Sequence, residues 1–455
     1  MKTITTTNPA TNEDLKEYNL HTSEELDKIL SETEKAFQIN RKTPIEERAK
    51  LMRRAAELLE ERKDLLASTM TNEMGKTLAS AKGEVEKCAW VCRYYADNAQ
   101  DFLADEMVES DATKSYISYQ PLGVVLAVMP WNYPLWQVFR FAAPALMAGN
   151  AGLLKHASNV PGSALQIEKI FFDAGFPKHS FSTLLISSDA VKGILENNIV
   201  KAATLTGSGP AGQAVASTAG QNIKKTVLEL GGSDPYLILE DADLDHAAEQ
   251  CTTSRLLNAG QSCIGAKRFI IVEKVYDQFL EKFKNKMSSA IMGDPNKAVA
   301  LGPMARFDLR DEVHQQVLDS VENGATLELG GTIPNSEGAY YPPTILTNVS
   351  PGMPAYDDEI FGPVASVIKV SDEDEAIRVA NDTAFGLGSC IFTKDVERGE
   401  MIAREKMEAG CCFVNHFVKS DPRLPFGGIK TSGYGRELSY YGIREFVNIK
   451  TVYVK

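Results

Sequence analysis

A cysteine in a glycine-flanked turn and a glutamate closing an apolar run are the residues of this chain best suited to making and breaking bonds. The first is Cys263, in Gly260-Gln261-Ser262-Cys263, and the second is Glu229, in Leu228-Glu229-Leu230-Gly231-Gly232. A thiolate attacks carbonyl carbon readily, and a carboxylate can take a proton from water. The two together suggest covalent catalysis at a carbonyl group. No recognisable histidine partner for Cys263 stands among the six histidines, so a protease-like cysteine–histidine pair is poorly supported.

A third pattern is Gly207-Ser208-Gly209-Pro210-Ala211-Gly212, a literal GxGxxG. It follows an expected strand and opens an expected helix, where free N–H groups and the helix dipole can hold a pyrophosphate. Glu229 then falls near the spacing of the ribose-binding acid of the usual dinucleotide fingerprint. Spacing alone would give Glu229 to the cofactor. Against this, Leu230-Gly231-Gly232 follows it, which suits close backbone approach.

The elements that must position these residues alternate. Gly123 to Val128, Gly152 to Lys155, Phe181 to Ile186 and Lys201 to Thr206 read as strands, the first buried on both faces. Helices are expected over Pro134 to Ala148, Pro161 to Asp173 and Pro210 to Ala219. This pattern predicts an α/β fold with a doubly wound parallel sheet, whose ligands bind at the carboxyl ends of the strands. Asn132, Lys155 and Gly207 fall there. A second alternating unit follows Gly232, with strands at Tyr236 to Leu239 and Arg268 to Val272 and helices at Asp243 to Leu257 and Val275 to Met287.

Upstream, Thr22 with Glu25 and Thr43 with Glu46 read as two capping boxes, Pro44 opening the second helix, which runs toward Leu65. A third helix covers about Ala79 to Phe102. Ser115 to Gln120 and Phe446 to Val454 alternate polar and apolar residues away from the main sheets, which suggests an oligomerisation arm. The expected division is residues 1–110 and 123–231 for cofactor binding, 232–430 for catalysis, and 111–122 with 442–455 for the arm.

At 455 residues the chain exceeds one ordinary core. Its net charge of −13 argues against nucleic acid as a partner, because phosphate binding needs clustered positive charge. Seven cysteines without a CxxC pair, and no HExxH, suggest neither a disulfide framework nor a metal site. The apolar runs are short of a membrane span and no signal pattern opens the chain, so a cytoplasmic protein is expected.

The motifs resemble, in order, those of the aldehyde dehydrogenase superfamily. Beside the glutamate and cysteine segments stand Pro130-Trp131-Asn132-Tyr133-Pro134, Glu359-Ile360-Phe361-Gly362-Pro363 and Pro425-Phe426-Gly427-Gly428. The resemblance covers nearly the whole chain. It implies Cys263 as nucleophile, Asn132 with the Cys263 N–H as oxyanion hole, and Glu229 as the base that hydrolyses the thioester. It further implies that Trp131, Lys155, Gly207, Ser208, Glu359 and Phe361 hold a nicotinamide dinucleotide. Relatives that use NAD commonly carry an acid three residues after this lysine. Here Ser158 stands in that place, so NADP is expected, in preference to NAD.

Trp136 and Arg140 are i,i+4 on the helix after Asn132, and with Ser262 and Ser420 they resemble the pocket of the succinate-semialdehyde dehydrogenase branch. Gly302 to Asp308 resembles that branch too. The implied reaction is NAD(P)-dependent oxidation of succinate semialdehyde, a small aldehyde bearing a carboxylate, by a homodimer or homotetramer. An ordinary ion pair is the alternative for Arg140. Rival functions are a dehydrogenase of glutarate semialdehyde or of an uncharged aliphatic aldehyde, a CoA-acylating enzyme, a thiol esterase, and a non-catalytic binding protein on the same fold.

Overall fold

The computed structural model describes residues 2–455. The chain opens on a hairpin of β1 (Thr3–Thr7) and β2 (Asp14–Asn19). Threonine-rich β1 and charged β2 lack apolar alternation, so sequence periodicity does not reveal them. Four helices follow: α1 (Ser23–Asn40), α2 (Ile45–Glu61), α3 (Lys63–Met74) and α4 (Leu78–Phe102). The capping box at Thr22 forms, with the Thr22 N–H donating to Glu25 at 2.8 Å and the Glu25 N–H to Thr22 Oγ1 at 3.3 Å. The expected second box does not. Pro44 is the cap of α2, and the Thr43 hydroxyl turns back to donate to the Ile39 carbonyl at the end of α1, at 3.1 Å. The run expected to reach Leu65 breaks at Arg62, which leaves the helical region (φ −104°, ψ 15°).

β3 (Glu106–Met107) and β4 (Lys114–Pro121) precede the first large sheet, built from β5 (Val124–Met129), α5 (Trp136–Met147), β6 (Ala151–His156), α6 (Pro161–Asp173), β7 (Phe181–Thr183), α7 (Val191–Glu196), β8 (Val200–Thr206), α8 (Gly209–Gln221) and β9 (Lys225–Glu229). The strand order β9-β8-β5-β6-β7 is parallel throughout. Along β5, Val124 and Leu126 pack with α1 and α8, while Val125, Ala127 and Met129 pack with α2, α4 and α5. Both faces are covered, so the strand is apolar at every position rather than at alternate ones.

The second sheet contains β10 (Pro235–Ile238), β11 (Arg268–Val272), β12 (Thr326–Leu329), β13 (Thr344–Thr347), β14 (Val364–Val370), β15 (Gly388–Phe392) and β16 (Cys411–Val414), in the order β12-β13-β14-β11-β10-β15-β16. Only the β12 edge is antiparallel. Helices α9 (Leu244–Leu256) and α10 (Tyr276–Ser288) cover one face, with Phe279 and Phe283 against Phe269. On the other lie α11 (Phe307–Glu322) and, after the short α12 (Pro354–Asp357), α13 (Glu373–Asn381).

Past α14 (Val396–Met401) the chain returns to the first sheet. β17 (Gly433–Tyr434) pairs antiparallel with β9, setting Gly433 opposite Glu229. A Cβ on Gly433 would stand 2.0 Å from the Leu228 carbonyl oxygen, so this edge needs glycine. After α15 (Ser439–Glu445), β18 (Val447–Val454) pairs along the whole length of β4, and β3 completes a three-stranded ribbon. No helix among the described residues is long and apolar enough to cross a membrane.

Candidate active site

The cysteine turn is held from every side. At the end of α9 the chain takes two left-handed residues, Asn258 (φ 56°) and Ala259 (φ 52°), before Gly260 (φ 74°). Such φ values cost a non-glycine residue roughly 1–2 kcal/mol each, and strain of this kind clusters at functional sites. The Asn258 amide donates to the carbonyls of Asn132 at 2.8 Å and Gln261 at 3.1 Å. Buried Arg255 donates to the Gly260 carbonyl at 2.5 Å. The Lys267 ammonium donates to the carbonyls of Ser262 at 2.9 Å and Cys263 at 2.8 Å. Gly260 lies directly on Gly362, where a Cβ would stand 2.2 Å from its carbonyl.

Asn132, in the loop between β5 and α5, is buried, and one amide hydrogen is given to the Gln261 carbonyl at 3.2 Å. Primary amides have two such hydrogens, so one remains. His156, at the end of β6, braces the loop: its Nε2–H donates to the Pro134 carbonyl at 2.8 Å, and Nδ1 accepts from the Ala157 N–H at 2.9 Å. Burial drops its pKa to about 4, which keeps the ring neutral in that role.

Cys263 opens into a cavity of about 360 Å³. Trp136, Arg140, Ser262 and Ser420 share its wall. Burial pushes the Cys263 thiol up to about 11; Arg140 and Lys267 pull against that rise, while Glu359 and Asp234 add to it. Arg140 is fully enclosed and ion-paired with Glu437; it also donates to the Thr206 hydroxyl at 3.2 Å and lies 4.6 Å from the Phe426 ring centroid. Its guanidinium therefore already has a carboxylate partner inside the protein.

Glu229 does not line this cavity. It is buried at the end of β9, and neither carboxylate oxygen has a hydrogen-bond partner. A Cβ on Gly427 would come within 2.7 Å of Glu229 Oε1. Burial, and next the neighbouring Glu437, hold its carboxyl well above the usual range, against the pull of Arg140 and Arg436. This arrangement favours the neutral form of Glu229.

On the other side of the turn the remaining candidates gather. The Trp131 and Phe361 rings meet edge to face, 5.9 Å apart. Glu359 accepts from the Gly232 N–H and from Lys267, each at 3.1 Å. A Cβ on Gly231 would meet Glu359 Oε2 at 2.2 Å, so the double glycine makes room for this carboxylate. Lys155 ends β6 half-buried, and Ser158 is exposed in the following loop. Ser208 caps α8, and above it Gly209 has nothing within 4 Å of an added Cβ. The third glycine serves packing instead, since a Cβ on Gly212 would come 2.6 Å from Leu230.

Sequence reasoning missed Glu437, Lys267, Lys87 and Glu84. Glu437 belongs to residues 431–441, which the expected division leaves unassigned. Lys87 and Glu84 lie i,i+3 on α4, a helix expected from the sequence but with neither residue singled out. Glu84 is buried, ion-paired with Lys76 and accepting from the N–H groups of Leu135 and Trp136, both at 2.9 Å. No group of three acidic, histidine or cysteine side chains placed to hold a metal ion occurs among the described residues.

The comparisons with known proteins agree with this geometry. The chain matches the aldehyde dehydrogenase family over residues 1–452. A Mycobacterium ulcerans protein named succinate-semialdehyde dehydrogenase (NADP(+)) 1 is 52% identical over 456 residues, covering 99% of each chain. A Synechocystis protein named a probable succinate-semialdehyde dehydrogenase (NADP(+)) is 50% identical over 452 residues, again 99% of each. The crystal structure of succinic semialdehyde dehydrogenase from Streptococcus pyogenes in complex with NADP+ superposes with a TM-score of 0.97 at 41% identity, covering 99% of both chains. A family match over residues 1–452, with relatives at least half identical along the whole length, means that the chain belongs to the aldehyde dehydrogenase family.

Proposed function

We propose that this enzyme oxidises succinate semialdehyde to succinate with NADP, in preference to NAD, as its cofactor. The observation that carries the reading is a single cavity with Cys263 on one wall and cationic and hydroxyl side chains on another. An aldehyde bearing a carboxylate satisfies both.

In this reading Cys263 releases its proton to solvent water, and the thiolate attacks the aldehyde carbon. The new oxyanion takes hydrogen bonds from the free Asn132 amide hydrogen and the Cys263 N–H. A donor of this kind is worth about 10²–10³ in rate. When bound, the nicotinamide takes up the hydride lost from the thiohemiacetal carbon. Glu229 then releases its own proton to solvent, turns from Gly427 toward the thioester and draws a proton from the attacking water; the C–S bond breaks, succinate leaves and the Cys263 thiolate is restored. Trp136, Arg140, Ser262 and Ser420 orient the substrate.

The residues present fit the dinucleotide. Gly209 leaves the N-terminus of α8 open to a pyrophosphate. Glu359 would accept hydrogen bonds from the nicotinamide ribose hydroxyls, and Trp131 and Phe361 would pack beside the cofactor. Lys155 reaches the adenine ribose. Ser158 offers a hydroxyl where an acid would repel a 2′-phosphate. We read residues 1–110 and 123–231 as the cofactor part and 232–430 as the catalytic part. The ribbon formed by 111–122 and 442–455 serves a homodimer or homotetramer.

The test is reduced-nicotinamide absorbance with succinate semialdehyde or butanal, each with NADP and NAD. Fast turnover of the acid aldehyde, stronger with NADP, is expected. Equal efficiency on butanal would overturn the substrate, and faster turnover with NAD would overturn the cofactor preference.

A further inference from the structure

The positive charge on the cavity wall that the sequence singles out, Arg140, is already compensated by Glu437. A second cation stands on the same wall. Lys87, on α4, is half-buried and lines the cavity beside Trp136 and Arg140. Its ammonium donates to Ser420 Oγ at 2.8 Å and lies 4.1 Å from the Trp136 ring centroid.

Lys87 forms no ion pair among the described residues, because each acid near it is engaged elsewhere. Glu84, one turn earlier, is paired with Lys76 and two backbone N–H groups. Glu437 is paired with Arg140. Asp421, next to Ser420, is paired with Arg423 at 2.7 Å. An ammonium held against an indole ring and a hydroxyl, with no counter-ion, is an incomplete site. A buried cation gains most from a carboxylate that arrives with the ligand. Ser420 receives the Lys87 hydrogen on an oxygen lone pair, so its own hydrogen is free to donate.

We propose that Lys87, with Ser420, is the counter-ion that receives the substrate carboxylate and sets the preference for acid aldehydes, while Arg140 supplies field and shape from its pair with Glu437. This rests on the reading of the substrate as an acid aldehyde.

A pH signature follows. Burial, and next the like charge of Arg140, lower the Lys87 ammonium to about 8. The facing groups are Glu84 and Cys88 from its own helix, Arg140 from α5, and Asp421 and Lys419 from the loop after β16. Below about 8 the ammonium is charged and can hold a carboxylate. Above it the charge is lost.

The experiment measures kcat/KM for succinate semialdehyde and for butanal in the wild type, Lys87→Met and Lys87→Arg, from pH 6.5 to 9.5. The ratio of the two constants cancels the titration of Cys263, which both substrates share. The wild-type ratio should fall at least fivefold as the pH rises through about 8. At pH 7 it should be at least tenfold lower in Lys87→Met and largely restored in Lys87→Arg. A wild-type ratio well above one that neither pH nor Lys87→Met changes would overturn Lys87 while leaving the substrate reading intact. A wild-type ratio near one at every pH would overturn both. The wild-type profile decides even if a variant fails to fold.

Discussion

At the scale of single residues, a neutral Glu229 is the feature with the clearest thermodynamic consequence. Its carboxyl is held well above the ordinary range by burial. In the unfolded chain it ionises near pH 4.3. Folding therefore requires a proton at this site once the pH exceeds that value, and stability falls as pH rises toward the folded pKa. Glutamine matches the neutral acid in shape and cannot ionise. Glu229→Gln should thus gain stability relative to wild type as pH rises from 4.5 to 8, read by urea unfolding at each pH, while thioester hydrolysis collapses. A stability difference that stays flat across that range would show that the carboxyl is ionised in the fold. Ser158 bears on the cofactor at the same scale. Ser158→Glu places a negative charge where the 2′-phosphate is expected, and the NADP to NAD ratio of kcat/KM should drop at least tenfold. An unchanged ratio would remove Ser158 from the cofactor site.

Elements impose their own rules, and α8 shows them within one helix. Gly212 faces Leu230, where an added Cβ would sit 2.6 Å from a side-chain carbon, whereas Gly220 has nothing within 4 Å. Gly212→Ala must push α8 off β9 or displace Leu230, at about 1–3 kcal/mol for overpacking. Gly220→Ala should instead gain up to about 1 kcal/mol, since alanine is the better helix former. Thermal melts of the two variants should move in opposite directions, and equal shifts would refute the packing argument. The glycine spacing was legible in the sequence because a strand–glycine–helix junction leaves a literal motif. So were the buried strands and the amphipathic helices, whose patterns follow from which faces are covered. The β1–β2 hairpin was not legible, since a threonine run and a largely charged strand carry no apolar period. Nor was the environment of Arg140: Glu437 lies far along the chain, and only the return of β17 to the first sheet brings it there. Lys87 was not legible either, because a lysine on an amphipathic helix carries no mark of the cavity that tertiary packing places beside it.

Over the whole molecule, the ribbon is a sheet separate from the two large ones. β18 forms its edge, with Ile449 62% exposed and Tyr453 48% exposed. An edge strand with exposed apolar side chains invites pairing with another chain unless a charge blocks it. If the ribbon joins subunits, Ile449→Lys should lower the mass measured by light scattering to that of a smaller species while keeping the far-ultraviolet circular dichroism of the wild type. An unchanged mass would place the subunit contact elsewhere.

The contact between Gly260 and Gly362 has a mechanical meaning. Two main chains that touch without side chains between them have nothing soft to compress, so neither can shift alone. One belongs to the turn that carries Cys263, the other to the loop that carries Glu359 and Phe361. They behave as two links of one rigid lever. A shift of the Glu359 loop would therefore be passed on to the turn that holds Cys263, so that a ligand seated on the one could set the other without touching it.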